Sequence, residues 1–141
     1  MSELDSFPGH LIRRLHQRSV AIYSSYANEL DVTQVQFAAL CSLDATPGID
    51  QVNLAASIAL DKVTTGEVVT RLVKKGLVRR EVRTSDRRSF ELHLTSDGKA
   101  ILKRLRSLTR SAQKDLLSPL TAAEQKTLLE LVSKLVFDAR E

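Results

Sequence analysis

The chain has little of several residue types. Its 141 residues include one cysteine, three histidines and no tryptophan, and aromatic residues make up 4%. A single cysteine excludes an internal disulfide framework. No apolar run is long enough to form the core of a signal peptide or a membrane span, so we expect a cytoplasmic protein.

Motifs for enzyme chemistry are also missing. There is no glycine-rich phosphate loop, nucleophile elbow or histidine-rich metal motif, and most carboxylates fall in helix caps, turns or charged helix faces. His10, His16 and His93 are far apart, and only the first two could share a helix. We therefore predict no enzyme, no cofactor and no metal site. Cys41 lies in an apolar stretch without basic neighbours, and we interpret it as packing rather than as an oxidation sensor.

Residues 50–94 predict two short helices followed by a hairpin. Asp50 and Asp61 are suited to cap helices over residues 51–57 and 62–75, and Gly76 can adopt the positive φ that ends the second helix. The period then changes to alternation, which predicts strands over residues 77–83 and 90–94. This order of elements is typical of a winged helix-turn-helix that binds duplex DNA.

The second helix of this pair is the predicted recognition helix. One face repeats small and apolar residues for packing, among them Thr65 and Leu72, while the other face and the first turn carry polar groups that suit base edges and phosphates. The predicted DNA contacts of this helix are Lys62, Thr64 and Arg71, together with Thr65, which is thus assigned to both surfaces. Glu67 is either an acceptor for a cytosine amino group or a solvated side chain.

The predicted hairpin tip, residues 84–89, contains Asp86, Arg87 and Arg88. A solvated turn has no need of two adjacent arginines, and arginine suits the narrow, negative minor groove, so we predict that the tip contacts DNA there. Charge supports this: residues 71–106 hold 12 Lys and Arg against 4 Asp and Glu, a net +8, and the rest of the chain has 9 against 13. A winged helix that contacts protein instead is the alternative.

The flanking segments carry more apolar surface than one small domain covers. An N-terminal helix, a helix opened by the capping box of Thr33 and Gln36, and two C-terminal helices that begin near Thr95 and Thr121 all have apolar stripes. We predict dimerisation segments at residues 1–30 and 95–141 around a DNA-binding domain at residues 31–94. A homodimer would place two recognition helices on a palindrome. The alternative is a helical hairpin that packs back on its own domain.

Asp86 and Arg88 are followed by Leu94-Thr95 and Gly98, and residues 71–78 lead from the predicted recognition helix into the hairpin. These motifs resemble the wing signature and the exit from the recognition helix of the MarR family of transcription regulators, and the resemblance covers nearly the whole chain. The resemblance implies a mainly α fold with a small β-hairpin wing and a homodimer. It also implies that Arg88 enters the minor groove, that Asp86 holds it there, and that the helix from Lys62 reads the major groove.

The N-terminal helix offers a candidate effector site. Ile12, His16, Ser19 and Tyr23 fall on one stripe that mixes apolar and hydrogen-bonding groups. The opening of this helix, residues 8–17, resembles the MarR subgroup that controls degradation of aromatic and heteroaromatic acids. That resemblance implies a repressor released by an aromatic carboxylate. Arg14 would pair with the carboxylate, His16 and Ser19 would be polar contacts, and Tyr23 would be a neighbour of the ring. Oxidation or another ligand as the signal stays open.

Overall fold

Helices dominate the computed structural model, which describes residues 1–85 and 88–138. The described part contains six α-helices and one two-stranded antiparallel sheet. The elements are α1 Pro8–Ala27, α2 Gln34–Ala45, α3 Gln51–Ser57, α4 Lys62–Lys74, β1 Val78–Val82, β2 Phe90–Leu94, α5 Ser96–Leu116 and α6 Ala122–Phe137, with short 3-10 turns at Glu3–Ser6 and Asn28–Leu30. The predicted fold, mainly helical with a β-hairpin, is confirmed. No described helix is long and apolar enough to cross a membrane.

The helices begin where their caps predict. Each of five helices has a capping side chain that accepts a hydrogen bond from the backbone of its first turn; these residues are Thr33, Asp50, Asp61, Thr95 and Thr121. Such bonds satisfy amide groups that have no partner inside the helix. The capping boxes predicted for α2 and α6 are both present.

The end of α4 is set by backbone geometry. Gly76 has a φ of 75°, and its N–H and that of Leu77 donate to the carbonyls of Val73 and Leu72 at 3.0 Å each. This pair of bonds closes the helix in a Schellman motif. The helix therefore ends one residue earlier than predicted, at Lys74, and β1 is shorter at both ends than the predicted 77–83.

The core lies between the N-terminal helix, the winged unit and α5. Its fully buried side chains come from α1, α2, α3, α4, β2 and α5; the largest are Tyr23, Leu40, Leu43, Leu54, Leu72, Leu92, Leu102 and Leu105. By contrast, α6 contains no buried residue, and Leu135 and Phe137 are 75% and 82% exposed. The terminal helix thus presents its apolar side chains to solvent in the single chain.

Gly98 lies in close contact with the backbone before β1. A Cβ added there would overlap the backbone carbonyl oxygen of Leu77, the residue directly before β1. The Gly98 N–H also donates to the hydroxyl of Thr95 at 3.0 Å, so the first turn of α5 is fixed at both sides. This position needs glycine for space, because it has no positive φ.

We expect Gly98→Ala to destabilise the protein by about 2–4 kcal/mol, because backbone must move to make room for the methyl group. Gly9→Ala is the matched control, since a Cβ there would meet nothing within 4 Å. Chemical denaturation of both variants measures the difference. A Gly98→Ala protein as stable as the Gly9→Ala protein would contradict this packing.

Candidate nucleic-acid interface

The start of α4 is held by Asp61. The Thr64 N–H donates to Oδ1 of Asp61 at 2.6 Å, and hydrogen bonds from Thr64 keep the pKa of this carboxyl below its usual value. Asp61 is therefore ionised at neutral pH and caps the helix as a carboxylate. This hydrogen bond fixes the first turn of the predicted recognition helix.

Three of the four predicted DNA contacts in α4 are exposed: Lys62, Thr64 and Arg71. The prediction that Thr65 contacts DNA needs correction. Thr65 is 0% exposed, and its hydroxyl donates to the Asp61 carbonyl at 2.7 Å. Thr65 packs the helix against the core and is not part of the DNA-facing surface. Glu67 is exposed beside Arg71.

A concave surface lies between α3, the start of α4 and the wing. This cavity, which we call the basic cleft, has a volume of about 270 Å³ and is lined by Asp50, Gln51, Val52, Lys62, Arg80, Arg88, Ser89, Phe90 and Leu92. It brings the predicted contacts Lys62 and Arg88 to one surface although they are 26 positions apart in the sequence. The cleft combines three basic side chains and the Asp50 carboxylate with three apolar side chains, Val52, Phe90 and Leu92.

Arg80 is a basic cleft residue that the sequence analysis missed. Its guanidinium donates to the hydroxyl of Thr70 at 3.0 Å, which joins β1 to α4. Arg80 pairs with Leu92 across the sheet, on the face that also carries Val78 and Leu94. A lone arginine on an otherwise apolar strand face is the signal that could have found it.

The loop of the β-hairpin wing follows β1. Arg83 is directed back to the loop before α3, with its guanidinium 3.4 Å from the Gly48 carbonyl and 3.8 Å from the Asp50 carboxylate. Arg88 is exposed and lines the basic cleft. The predicted contacts Asp86 and Arg87 lie outside the described residues.

The C-terminal end of α4 is tied to the N-terminal part of the chain. Lys75 donates to the backbone carbonyl of Asp31 and to Oε1 of Gln36, the latter at 3.0 Å. Gln36 is buried at the start of α2. The C-terminal end of α4 is thus fixed to the segment that follows α1.

The predicted effector residues do not form one cluster within the chain. Ser19 accepts a hydrogen bond from Nε2 of Gln34 at 3.1 Å, and His16 is exposed one turn earlier. Arg14 lies about 200° around the helix from His16, since each residue turns about 100°. It contacts Asp5 at 3.5 Å and lines an outer groove with Leu11 and neighbouring residues.

Tyr23 is a core residue, which corrects its predicted place beside a ligand ring. It is 2% exposed, its hydroxyl donates to the Val32 carbonyl at 2.9 Å, and its ring lies 6.1 Å from that of Phe37. Burial raises the pKa of Tyr23 to about 12. Tyr23 therefore joins α1 to the core with its hydroxyl already bonded.

Cys41 has a basic neighbour that is distant in sequence. Arg106 lies beside the thiol and favours its ionised form, but burial outweighs this effect and raises the pKa of Cys41. The Arg106 guanidinium is engaged by Asp44 at 2.8 Å. Cys41 packs against the hydrophobic core, as predicted, and its thiol is protonated at neutral pH.

Comparison with known proteins identifies the class. The MarR family model matches residues 32–90, which contain the helix-turn-helix and most of the wing. The transcriptional regulator HosA of Escherichia coli O127:H6 is 33% identical, with 90% of this chain and 93% of HosA covered. The HTH-type transcriptional repressor NicR of Pseudomonas putida is 31% identical, with 91% and 81% covered. The chain belongs to the MarR family of transcriptional regulators, and these relatives confirm the prediction of a regulator rather than an enzyme.

Solved structures agree over nearly the full length. PcaV of Streptomyces coelicolor, in complex with its natural ligand, has a TM-score of 0.90 at 35% identity, covering 100% of this chain and 99% of PcaV. The repressor CouR, bound to a 23-mer DNA duplex, has a TM-score of 0.90 at 28% identity and 96% coverage of both chains. BpsR of Bordetella bronchiseptica, whose DNA binding is regulated by 6-hydroxynicotinic acid, has 0.89 at 27% identity, covering 96% and 97%.

Proposed function

We propose that the protein is a homodimeric repressor that binds a palindromic operator in the cytoplasm and leaves it when a small aromatic carboxylate binds. The basic cleft is the observation that carries the DNA-binding part, because one surface is shared by the recognition helix and the wing. Lys62, Arg80 and Arg88 all face it. Three cations on one concave surface suit the phosphate backbone of a duplex.

The recognition helix supplies the groups for the major groove. The exposed Thr64 and Arg71 lie on the side of α4 opposite the buried Val69. Arginine pairs with guanine in a bidentate manner, while a threonine hydroxyl bonds bases or phosphates. The Asp61 cap and the Lys75 anchor hold the two ends of α4, so these side chains are presented on a rigid helix.

Arg88 is the proposed minor-groove contact, with Asp86 and Arg87 beside it in the wing. Arg88 is exposed and borders the basic cleft, so it lies on the same side of the molecule as Lys62. An arginine at this position reaches the minor groove when α4 occupies the adjacent major groove. The DNA-bound CouR structure has the same fold, which supports this arrangement.

Arg88→Ala should weaken operator binding about tenfold and reduce the slope of log affinity against log salt by about 1, because one cationic contact is lost. Arg110→Ala is the matched control, an exposed arginine on α5. Fluorescence anisotropy across a salt series, on DNA from upstream of the gene, measures both quantities. Unchanged affinity of a folded Arg88→Ala protein would remove Arg88 from the interface.

The dimer is proposed from the terminal helices. Along α6, Leu129, Leu131, Leu135, Val136 and Phe137 are each more than half exposed. Near α1, Leu4, Phe7, Leu11 and Ile12 are between 47% and 57% exposed. So many exposed apolar side chains at both ends of one chain are costly in water and are typical of a subunit interface. A two-fold axis between these helices would pair them and set two α4 helices on one face.

We expect Leu135→Glu to raise the dimer dissociation constant about a hundredfold, because a carboxylate would be buried in an apolar interface. Val63→Glu is a closely matched control: Val63 is also 75% exposed, but it lies on α4. Analytical ultracentrifugation of both variants at micromolar concentration checks this. A wild-type monomer would refute the dimer, and equal dissociation constants would remove α6 from its interface.

The effector site is proposed between α1 and α2. The hydrogen bond from Gln34 to Ser19 joins these helices, and His16 lies exposed on the same face of α1. Both are polar groups that suit a carboxylate or a ring heteroatom. BpsR, with the same fold, responds to 6-hydroxynicotinic acid, which supports an aromatic acid as the effector.

Arg14 is assigned to the same site, but from the second chain. It lies on the outer side of α1, in the groove with Leu11 and Leu15. This is the apolar face that the proposed dimer covers. In a symmetric dimer each Arg14 therefore faces the other subunit, where its guanidinium can pair with the effector carboxylate.

One or more acids from a panel of benzoates, hydroxycinnamates and nicotinate derivatives should bind by calorimetry and weaken operator binding about 5–150-fold. Arg14→Ala should leave DNA binding intact and reduce this response, because the carboxylate loses its partner. Arg13→Ala is the control, since the guanidinium of Arg13 contacts the neighbouring His10 at 3.3 Å. The effector class is wrong if no acid in the panel binds. The Arg14 assignment is wrong if Arg14→Ala leaves the response intact, or if Arg13→Ala reduces it equally.

A further inference from the structure

Two carboxylates face each other at the base of the wing. Glu81 on β1 pairs directly with Glu91 on β2, one pair before the strands end at Val82 and Phe90. Like charges directly opposite on neighbouring strands repel each other. His93 follows two positions after Glu91, and alternate residues share a face, so its imidazole is on the same side of the sheet.

The imidazole of His93 lies between the two carboxylates. Its Nε2 is 3.7 Å from Oε2 of Glu81 and 3.8 Å from Oε2 of Glu91. Both distances are too long for a hydrogen bond. Nε2 is nevertheless buried, and it has no hydrogen-bond partner among the described residues. A buried ring nitrogen without a partner is costly unless the site supplies a partner.

Gly48 keeps space open beside these groups. A Cβ at this position would lie 3.5 Å from Cε1 and 3.8 Å from Nε2 of His93, and 3.7 Å from Oε1 of Glu91. Its φ of +84° also favours glycine. The backbone N–H of Gly48 donates to the Leu92 carbonyl at 3.0 Å, which fixes the loop against β2.

Two arginines near these side chains have partners other than His93. Nε of Arg79 donates to Oε1 of Glu81 at 2.8 Å, so this carboxylate is oriented with Oε2 toward His93. The bond from Arg79 also lowers the pKa of Glu81, which is therefore ionised at neutral pH. Arg83 is directed at the Gly48 carbonyl and Asp50.

We propose that Glu81, Glu91 and His93 bind a first-row divalent transition-metal ion such as Zn²⁺ at the base of the wing. Their three ligand atoms lie within 4.8 Å of one another. Imidazole and carboxylate are both ligands of Zn²⁺, at about 2.0–2.2 Å, which in tetrahedral geometry places ligand atoms about 3.3 Å apart. Small side-chain movements close the present gaps, and water completes the coordination.

An ion there would join β1 to β2 beneath the loop that carries Arg88. It would neutralise the repulsion between Glu81 and Glu91 and supply the missing partner of His93 Nε2. Because the ion binds only when the hairpin is formed, it would stabilise the folded wing. Mg²⁺ prefers oxygen ligands in octahedral geometry and would not use the imidazole, so it serves as a control ion.

The test is calorimetry of ZnCl₂ into the untagged full-length protein, with thermal melts of the same samples. We expect one ion per chain, at least tenfold weaker binding in His93→Gln, Glu81→Gln and Glu91→Gln, and no change in His10→Gln. His10 is the matched control because it lies beside a different carboxylate, 3.9 Å from Oδ1 of Asp5. Zn²⁺ in tenfold excess over Kd should raise the wild-type Tm by about 3–6 °C, while Mg²⁺ should not.

Co²⁺ provides a readout that does not depend on the variants folding. Its spectrum in the wild-type protein should show nitrogen and oxygen ligands without the thiolate charge-transfer band that coordination by Cys41 would produce. The proposal is overturned if Zn²⁺ does not bind at micromolar concentration, if His93→Gln binds it as tightly as the wild type, or if the thiolate band appears.

Discussion

The junction between α4 and α5 is the constraint on which the rest of the molecule depends. At this point the Thr95 N–H donates to the Leu77 carbonyl at 3.1 Å, and the Thr95 hydroxyl donates to the Gly76 carbonyl at 2.6 Å. Gly98 then packs against the Leu77 backbone with no room for a methyl group. The C-terminal end of α4, the start of β1 and the start of α5 are therefore fixed to one another within a few ångströms.

This junction explains how a signal in the helices would reach DNA. A long helix transmits a rotation as a rigid body, and the start of α5 is bonded to the residues that directly follow α4. Lys75 adds a second connection, from the end of α4 to the segment after α1. A ligand that favours one arrangement of α1 and α5 would therefore favour one spacing of the two α4 helices in a dimer. Its effect on DNA affinity is limited to the difference between its affinities for the two arrangements.

Features that arise from local chemistry could be predicted from the sequence. Asp61 as a helix cap and Gly76 as a helix end need only their own turn of backbone, and both are as predicted. Features that depend on tertiary packing could not. The sequence assigns Thr65 both to the packing face and to the DNA contacts, and only the packing of α4 decides that it is buried. Arg106 is 65 positions after Cys41, so only the fold brings it to the thiol.

The wing shows the same limit most clearly. The three histidines are distant in sequence, and on that basis no metal site was expected. Antiparallel pairing brings together residues that are distant in sequence. Glu81 and Glu91 lie directly opposite each other, and His93 lies two residues further along β2 on the same face. The register, which the hairpin loop sets, therefore decides whether two carboxylates and an imidazole meet. Since the same register also positions Arg88, the geometry of the acidic pair and that of the proposed DNA contact are set by one set of backbone hydrogen bonds.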